Sequence, residues 1–181
     1  MNAHSARIQK LAIAAVCLAL CMVLPFLTGQ IPEIGSMLCP MHIPVLLCGF
    51  LCGPAWAAVV GAIAPLLRFA LFGMPPIFPT GVAMCVELAA YGAVSGLMYH
   101  LLPRKPLYIY VSLIVAMLSG RILWGIVRVV LAGLGASAFS WGAFIAGAFT
   151  SAIPGIILHI ILIPLIVMSL QKSLPWLKSH H

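Results

Sequence analysis

The chain has 181 residues, 64% of them apolar and only 6% charged, with a mean hydropathy of +1.22. A soluble domain carries about 25% charged residues, so a water-soluble fold is excluded. At ~20 residues per span the length fits about six membrane helices and no separate soluble domain, so residues 1–181 read as one all-α membrane domain. Long continuous apolar runs also exclude an outer-membrane barrel, whose strands alternate over ~10 residues.

In chain order, Arg7 and Lys10 precede the run LAIAAVCLALCMVLPFL. This run is long for a signal-peptide core and no small-x-small cleavage site follows it directly. It reads as a retained first helix, Leu11 to Leu27. The Gly- and Pro-rich segment TGQIPEIGSMLCPM follows as a loop and carries Gln30 and Glu33. HIPVLLCGFLC is a second helix, short for a full span, and Gly53-Pro54 breaks it. AWAAVVGAIAPLLRFALFG is the third, with Pro65 as an expected kink; MPPIFP is a turn. Helix 4 covers about Thr80 to Leu102, helix 5 Leu107 to Leu134, and helix 6 Trp141 to Leu170.

The basic residues set the orientation. With the N-terminus in the cytoplasm and six spans threaded, Arg7, Lys10, Arg104, Lys105, Lys172 and Lys178 all fall inside. The three opposite loops hold no Lys or Arg. Both termini are therefore expected in the cytoplasm, and the formal charge of +7 is mostly this bias. It calls for no nucleic-acid partner.

Three arginines remain inside spans: Arg68, Arg121 and Arg128. Arg121 and Arg128 are two turns apart on one stripe of helix 5, with Trp124 and Gly125 on the same face. Arg68 and Arg128 lie toward the outer ends of their helices, where snorkelling to headgroups is the structural alternative. Arg121 is deeper and needs a partner. The sole acid inside a span is Glu87, on helix 4, which cannot neutralise three arginines. A positive excess facing a cavity would be completed by an anionic ligand, since Arg binds carboxylate or phosphate in a bidentate way; a purely structural Arg–Glu lock is the alternative. Glu33, Gln30, Thr80, His42, Tyr91 and Trp141 reach the same outer half, while His159 is as well explained as a satisfied core histidine.

The six cysteines form two CxxxC pairs (Cys17/Cys21, Cys48/Cys52) plus Cys39 and Cys85, without the His or carboxylate neighbours of a closed metal site. They read as small packing residues. No Walker motif, HExxH or GxSxG occurs, and two acids in the whole chain leave little for metal chemistry. The reading is of a protein without cofactor or metal and not an enzyme.

Residues 41 to 99, beginning MHIPVLLCGFLCGP and including GMPPIFP, resemble the substrate-binding S component of energy-coupling-factor (ECF) vitamin transporters. The H-I-P-x-x-L-x-G-F-x-x-G-P segment carries most of the likeness. Ala15-x-x-x-Ala19 in helix 1 is similar to the AxxxA patch that such proteins turn toward their coupling subunit. The resemblance implies a multi-pass plasma-membrane subunit that binds a vitamin or precursor from outside. It also implies partners: a transmembrane coupling protein and two ATPases, which explains the missing Walker motif. The family's cavity lies between the first outer loop and helices 4 to 6, with the loop after helix 3 as a lid. Its positions here are Glu33, His42, Glu87, Tyr91, Arg121, Trp124 and Arg128. Arg68, one turn before the lid, is expected to bind the anionic end of the ligand or to tie the lid to Glu87. The arginine excess favours an acid such as pantothenate. The competing expectations are a stand-alone proton-coupled carrier using Glu87, a small intramembrane enzyme acting on a lipid phosphate through Glu87, His159 and the arginines, and an assembly subunit with buried ion pairs only.

Overall fold

A computed structural model of the chain describes residues 3–27, 37–103, 105–134, 142 and 152–173. Six helices stand among them: α1 (Ala3–Leu27), α2 (His42–Cys52), α3 (Pro54–Phe72), α4 (Val82–Leu101), α5 (Pro106–Gly133) and α6 (Ile153–Ser173). Each expected helix has a described counterpart; residues 3–10 extend the first beyond its predicted start, and the first part of the expected sixth, residues 141 and 143–151, lies outside the described residues.

Five helices are long and apolar enough to cross a membrane; α2 is not. Its 11 residues rise about 16 Å at ~1.5 Å each, against a hydrocarbon core of ~30 Å. The six expected spans are thus five long helices and one short one. α2 is instead the centre of the bundle, with every residue but Leu51 buried, packed against α1, α3, α4 and α6. It runs antiparallel to α1: Cys52 Sγ donates to the Lys10 carbonyl at 3.4 Å, and Cys21 Sγ to the Met41 carbonyl at 3.6 Å. The N-terminus of α2 therefore starts at the level of Cys21, well inside the bilayer rather than at its surface.

Close backbone packing holds α3 and α4 together. A Cβ on Gly92 would lie 2.5 Å from the Ala57 carbonyl oxygen, so only glycine permits this approach. In lipid, where burial of apolar surface gives helices no advantage over acyl chains, such small-residue contacts supply the attraction. Outward stripes of large apolar side chains, such as Ile157, Ile161 and Leu165 on α6 and Ile122, Ile126 and Val130 on α5, face the acyl chains. α3 runs unbroken through Pro65. Between Gly73 (φ 71°) and α4 the chain makes the expected turn, with Phe78 extended (φ −119°, ψ 130°) and the Gly81 N–H bonded to the Pro76 carbonyl at 2.9 Å.

One end of the bundle gathers the start of α1 and the C-terminal ends of α2, α4 and α6. Phe50 meets Tyr99 edge-on at 5.1 Å, and the Gln171 amide donates to the Tyr99 hydroxyl. Arg7, Lys10, Lys105 and Lys172 cluster toward this end in the sequence threading, which makes it cytoplasmic by the distribution of basic charge.

Candidate functional site

At mid-depth, four helices and the segment before α2 bring five polar side chains together. His42 is the first residue of α2, shaped by a turn in which its N–H donates to the Cys39 carbonyl at 3.0 Å. Glu87 and Tyr91 come from one face of α4, one turn apart. Arg121 comes from α5 and His159 from α6. Their meeting depends on close approach: a Cβ on Gly120 would sit 2.9 Å from the Tyr91 ring and 3.1 Å from the Glu87 carbonyl oxygen. The residue beside it, Arg121, is thereby brought onto Glu87. On α6, Gly155 lies against the Met37 carbonyl, which seats the Cys39 segment one turn from His159.

Arg121 Nη1 lies 2.9 Å from Glu87 Oε1, and Arg121 Nη2 donates to Cys39 Sγ at 3.5 Å. The Arg121–Glu87 contact is a charge contact rather than an aligned hydrogen bond, since Oε1 accepts none. His42 Nε2 is 3.5 Å from the same oxygen. The His42 ring meets Tyr91 edge-on at 4.9 Å and stacks near His159 at 6.1 Å. Burial is nearly complete: Glu87 is 2% exposed, and His42 and His159 are 4% each.

Within the described residues, Glu87 Oε1, both ring nitrogens of His42 and Nε2 of His159 form no hydrogen bond. A buried polar group left without a hydrogen bond costs about 1–3 kcal/mol of desolvation, which the Arg121 charge offsets in part for Glu87 Oε1. These four atoms lie in one cluster, which makes it the candidate site among the described residues. Among the described residues no group of three or more His, Cys, Asp or Glu is placed to hold a metal ion. The arrangement can present an acceptor, adaptable imidazole edges and aromatic faces.

Of the expected positions, His42, Glu87, Tyr91 and Arg121 therefore converge. Arg68 does not join them. It is 5% exposed, its Nη1 donates to the Met22 carbonyl at 2.9 Å, and its guanidinium lies 5.5 and 5.3 Å from the Phe26 and Phe72 rings. A guanidinium from α3 thus holds a carbonyl of α1, where the sequence suggested a ligand anion or a tie between the lid and Glu87. Trp124 and Arg128 pair with each other, the guanidinium 5.9 Å from the ring, further out along α5. Ala15 and Ala19 are exposed on the outer face of α1. Glu33 and Trp141 lie outside the described residues.

Two participants escaped the sequence reading. Cys39, grouped with the packing cysteines, touches Arg121; the run that places it carries no periodic signal. His159 was balanced between core and site, although Gly155-x-x-x-His159, a small residue one turn before a polar one on the same face, was a legible hint of close packing around it.

A family model described as ECF transporter, substrate-specific component matches residues 9–167 of the chain. No curated protein and no solved structure matches it.

Proposed function

Since the chain belongs to the family of ECF transporter substrate-specific components, we propose that it binds one small water-soluble vitamin or vitamin precursor with an anionic end, similar to pantothenate, in the outer half of the bundle. Membership itself makes the chain a transporter subunit rather than an enzyme, a multi-pass helical protein of the plasma membrane. The observation that carries the proposal is the cluster of Glu87, His42 and His159 atoms, buried yet without hydrogen bonds.

Above it, the α5 stripe offers the charge. Arg121 is committed to Glu87, whereas Arg128, two turns toward the outer end, has no carboxylate partner among the described residues. A carboxylate at Arg128, beside the Trp124 face, would place the remainder of a ligand along α5 toward the cluster. The partners in this reading are a transmembrane coupling protein and two ATPases, with the exposed Ala15/Ala19 face of α1 as the contact.

The test is thermal stabilisation of the purified chain by a panel of B-vitamins and precursors. Stabilisation follows RT ln(1 + [L]/Kd), about 2.7 kcal/mol at a hundredfold excess over Kd. One strong anionic hit, weakened at least tenfold in Arg128→Ala, is expected. No shift with any anionic member overturns the proposal.

A further inference from the structure

The buried cluster carries more than the presence of a site; its charge balance restricts what can touch it. Glu87 and Arg121 are one negative and one positive group 2.9 Å apart, so the pair is neutral as it stands. The other terminal nitrogen of Arg121 is already on Cys39 Sγ. A second anion here would face the Glu87 carboxyl and compete with it for Arg121. A cation would compete with Arg121 for Glu87 and leave a buried arginine unpaired, which is costly. What the cluster lacks is hydrogen-bonding, not charge: an acceptor at Glu87 Oε1, and three imidazole nitrogens on His42 and His159. A neutral imidazole offers one donor and one acceptor. A hydroxyl suits such a set, because it gives its proton to Glu87 and receives one from a histidine N–H.

We propose that the mid-membrane end of the site selects an uncharged, hydrogen-bond-donating end of the ligand, of hydroxyl or amide type, with Glu87 Oε1 as its acceptor and His42 and His159 as its flanking partners. This rests on the binding reading above and assigns the two ends of the ligand opposite chemistries: acid outward at Arg128, hydroxyls inward at Glu87. Arg121 is then a positioning residue that holds the Glu87 carboxyl in place. Tyr91 packs the edge of His42 and fixes its ring.

The experiment is calorimetric titration of the full chain in lipid nanodiscs with three probes. Pantothenate has both ends; pantothenol has the acid replaced by a hydroxyl; N-(3,3-dimethylbutanoyl)-β-alanine keeps the acid and amide but lacks the two hydroxyls. Pantothenate is expected to bind tightest, with each altered probe at least tenfold weaker. In Glu87→Gln and His159→Phe the penalty for losing the hydroxyls should shrink to less than threefold, while the penalty for losing the acid persists. His159→Phe keeps a ring in place, so the test stands even where Glu87→Gln is poorly folded. Equal binding of pantothenate and the dehydroxylated probe overturns this inference and leaves the binding function intact. No binding of any of the three overturns both the pantothenate-like reading and this one. A hydroxyl penalty unchanged in both variants overturns the assignment to this cluster.

Discussion

Glu87 and Arg121 face each other at 2.9 Å across the α4–α5 contact, both largely shielded from solvent and lipid. Removing one partner of such a pair leaves the other charge buried alone, which costs about 3–5 kcal/mol, whereas replacing both by apolar groups of similar volume is often neutral. Arg121→Ala is therefore expected to lower stability by about 3 kcal/mol or more, while Glu87→Leu/Arg121→Met together should cost less than either single change. Thermal melting of the ligand-free protein checks this. Additive losses in the double variant would mean that the two side chains do not act as a pair.

Arg68 carries a prediction of the opposite kind, stability without affinity. Its hydrogen bond to the Met22 carbonyl and its place beside the Phe26 and Phe72 rings join the outer ends of α1 and α3. Phe26 and Phe72 also touch each other edge-on, with centroids 5.0 Å apart. A hydrogen bond from a charged donor contributes about 1.5–3 kcal/mol, and each cation–π contact about 0.5–2. Arg68→Met should cost about 2–4 kcal/mol in melting experiments yet keep ligand affinity within about threefold. Arg68→Lys should recover only part, because a lysine lacks the guanidinium's fork of donors and its delocalised cation beside the two rings. Lost binding with unchanged stability would return Arg68 to the ligand.

Why Arg68 misleads in the sequence is instructive. Hydropathy and Gly/Pro punctuation depend on neighbours along the chain, so the helices and the α3–α4 turn were legible. A buried charge is different: its meaning lies in partners supplied by other helices. Arg68 is answered by Met22 and Phe26 of α1, a pairing no spacing rule reveals. Arg121 was expected to need a partner, and it lies on Glu87, the sole acid within a predicted span, although the sequence did not choose among the three arginines. For α2, the shortness was visible, but its central burial was not. His42 looked like a boundary residue because it opens a helix; it sits at mid-depth because that helix begins deep inside.

Gly120 tests the geometry that brings Arg121 to Glu87. Alanine there would place its Cβ 2.9 Å from the Tyr91 ring and 3.1 Å from the Glu87 backbone, so α5 must move outward or Tyr91 must turn. Such overpacking costs about 1–3 kcal/mol. Both escapes disturb the site, so Gly120→Ala should weaken binding at least tenfold even at temperatures where the protein is fully folded. Gly133→Ala is the control, since nothing lies within 4 Å of a Cβ there. Equal binding by Gly120→Ala and Gly133→Ala would show that the α4–α5 spacing does not govern the site.

The outer face of α1 makes a separable prediction, because the side of the helix that packs on α2 is different from the side that stays open. Ala14, Cys17 and Cys21 are buried against the bundle, whereas Ala15 and Ala19 are exposed one turn apart. Small residues in that position let a second helix approach closely, and in lipid close approach supplies most of the attraction. Ala15→Trp and Ala19→Trp add bulk to this face without entering the core. Stability and ligand affinity should therefore stay within about twofold of the unmodified protein. Co-purification with a transmembrane coupling protein and its ATPases, and ATP-dependent uptake in proteoliposomes, should fall at least tenfold. Binding weakened together with uptake would place the effect inside the bundle. Uptake that survives both changes would move the coupling contact to another face, and the remaining exposed apolar stripes of α5 and α6 would be the next to test in the same way.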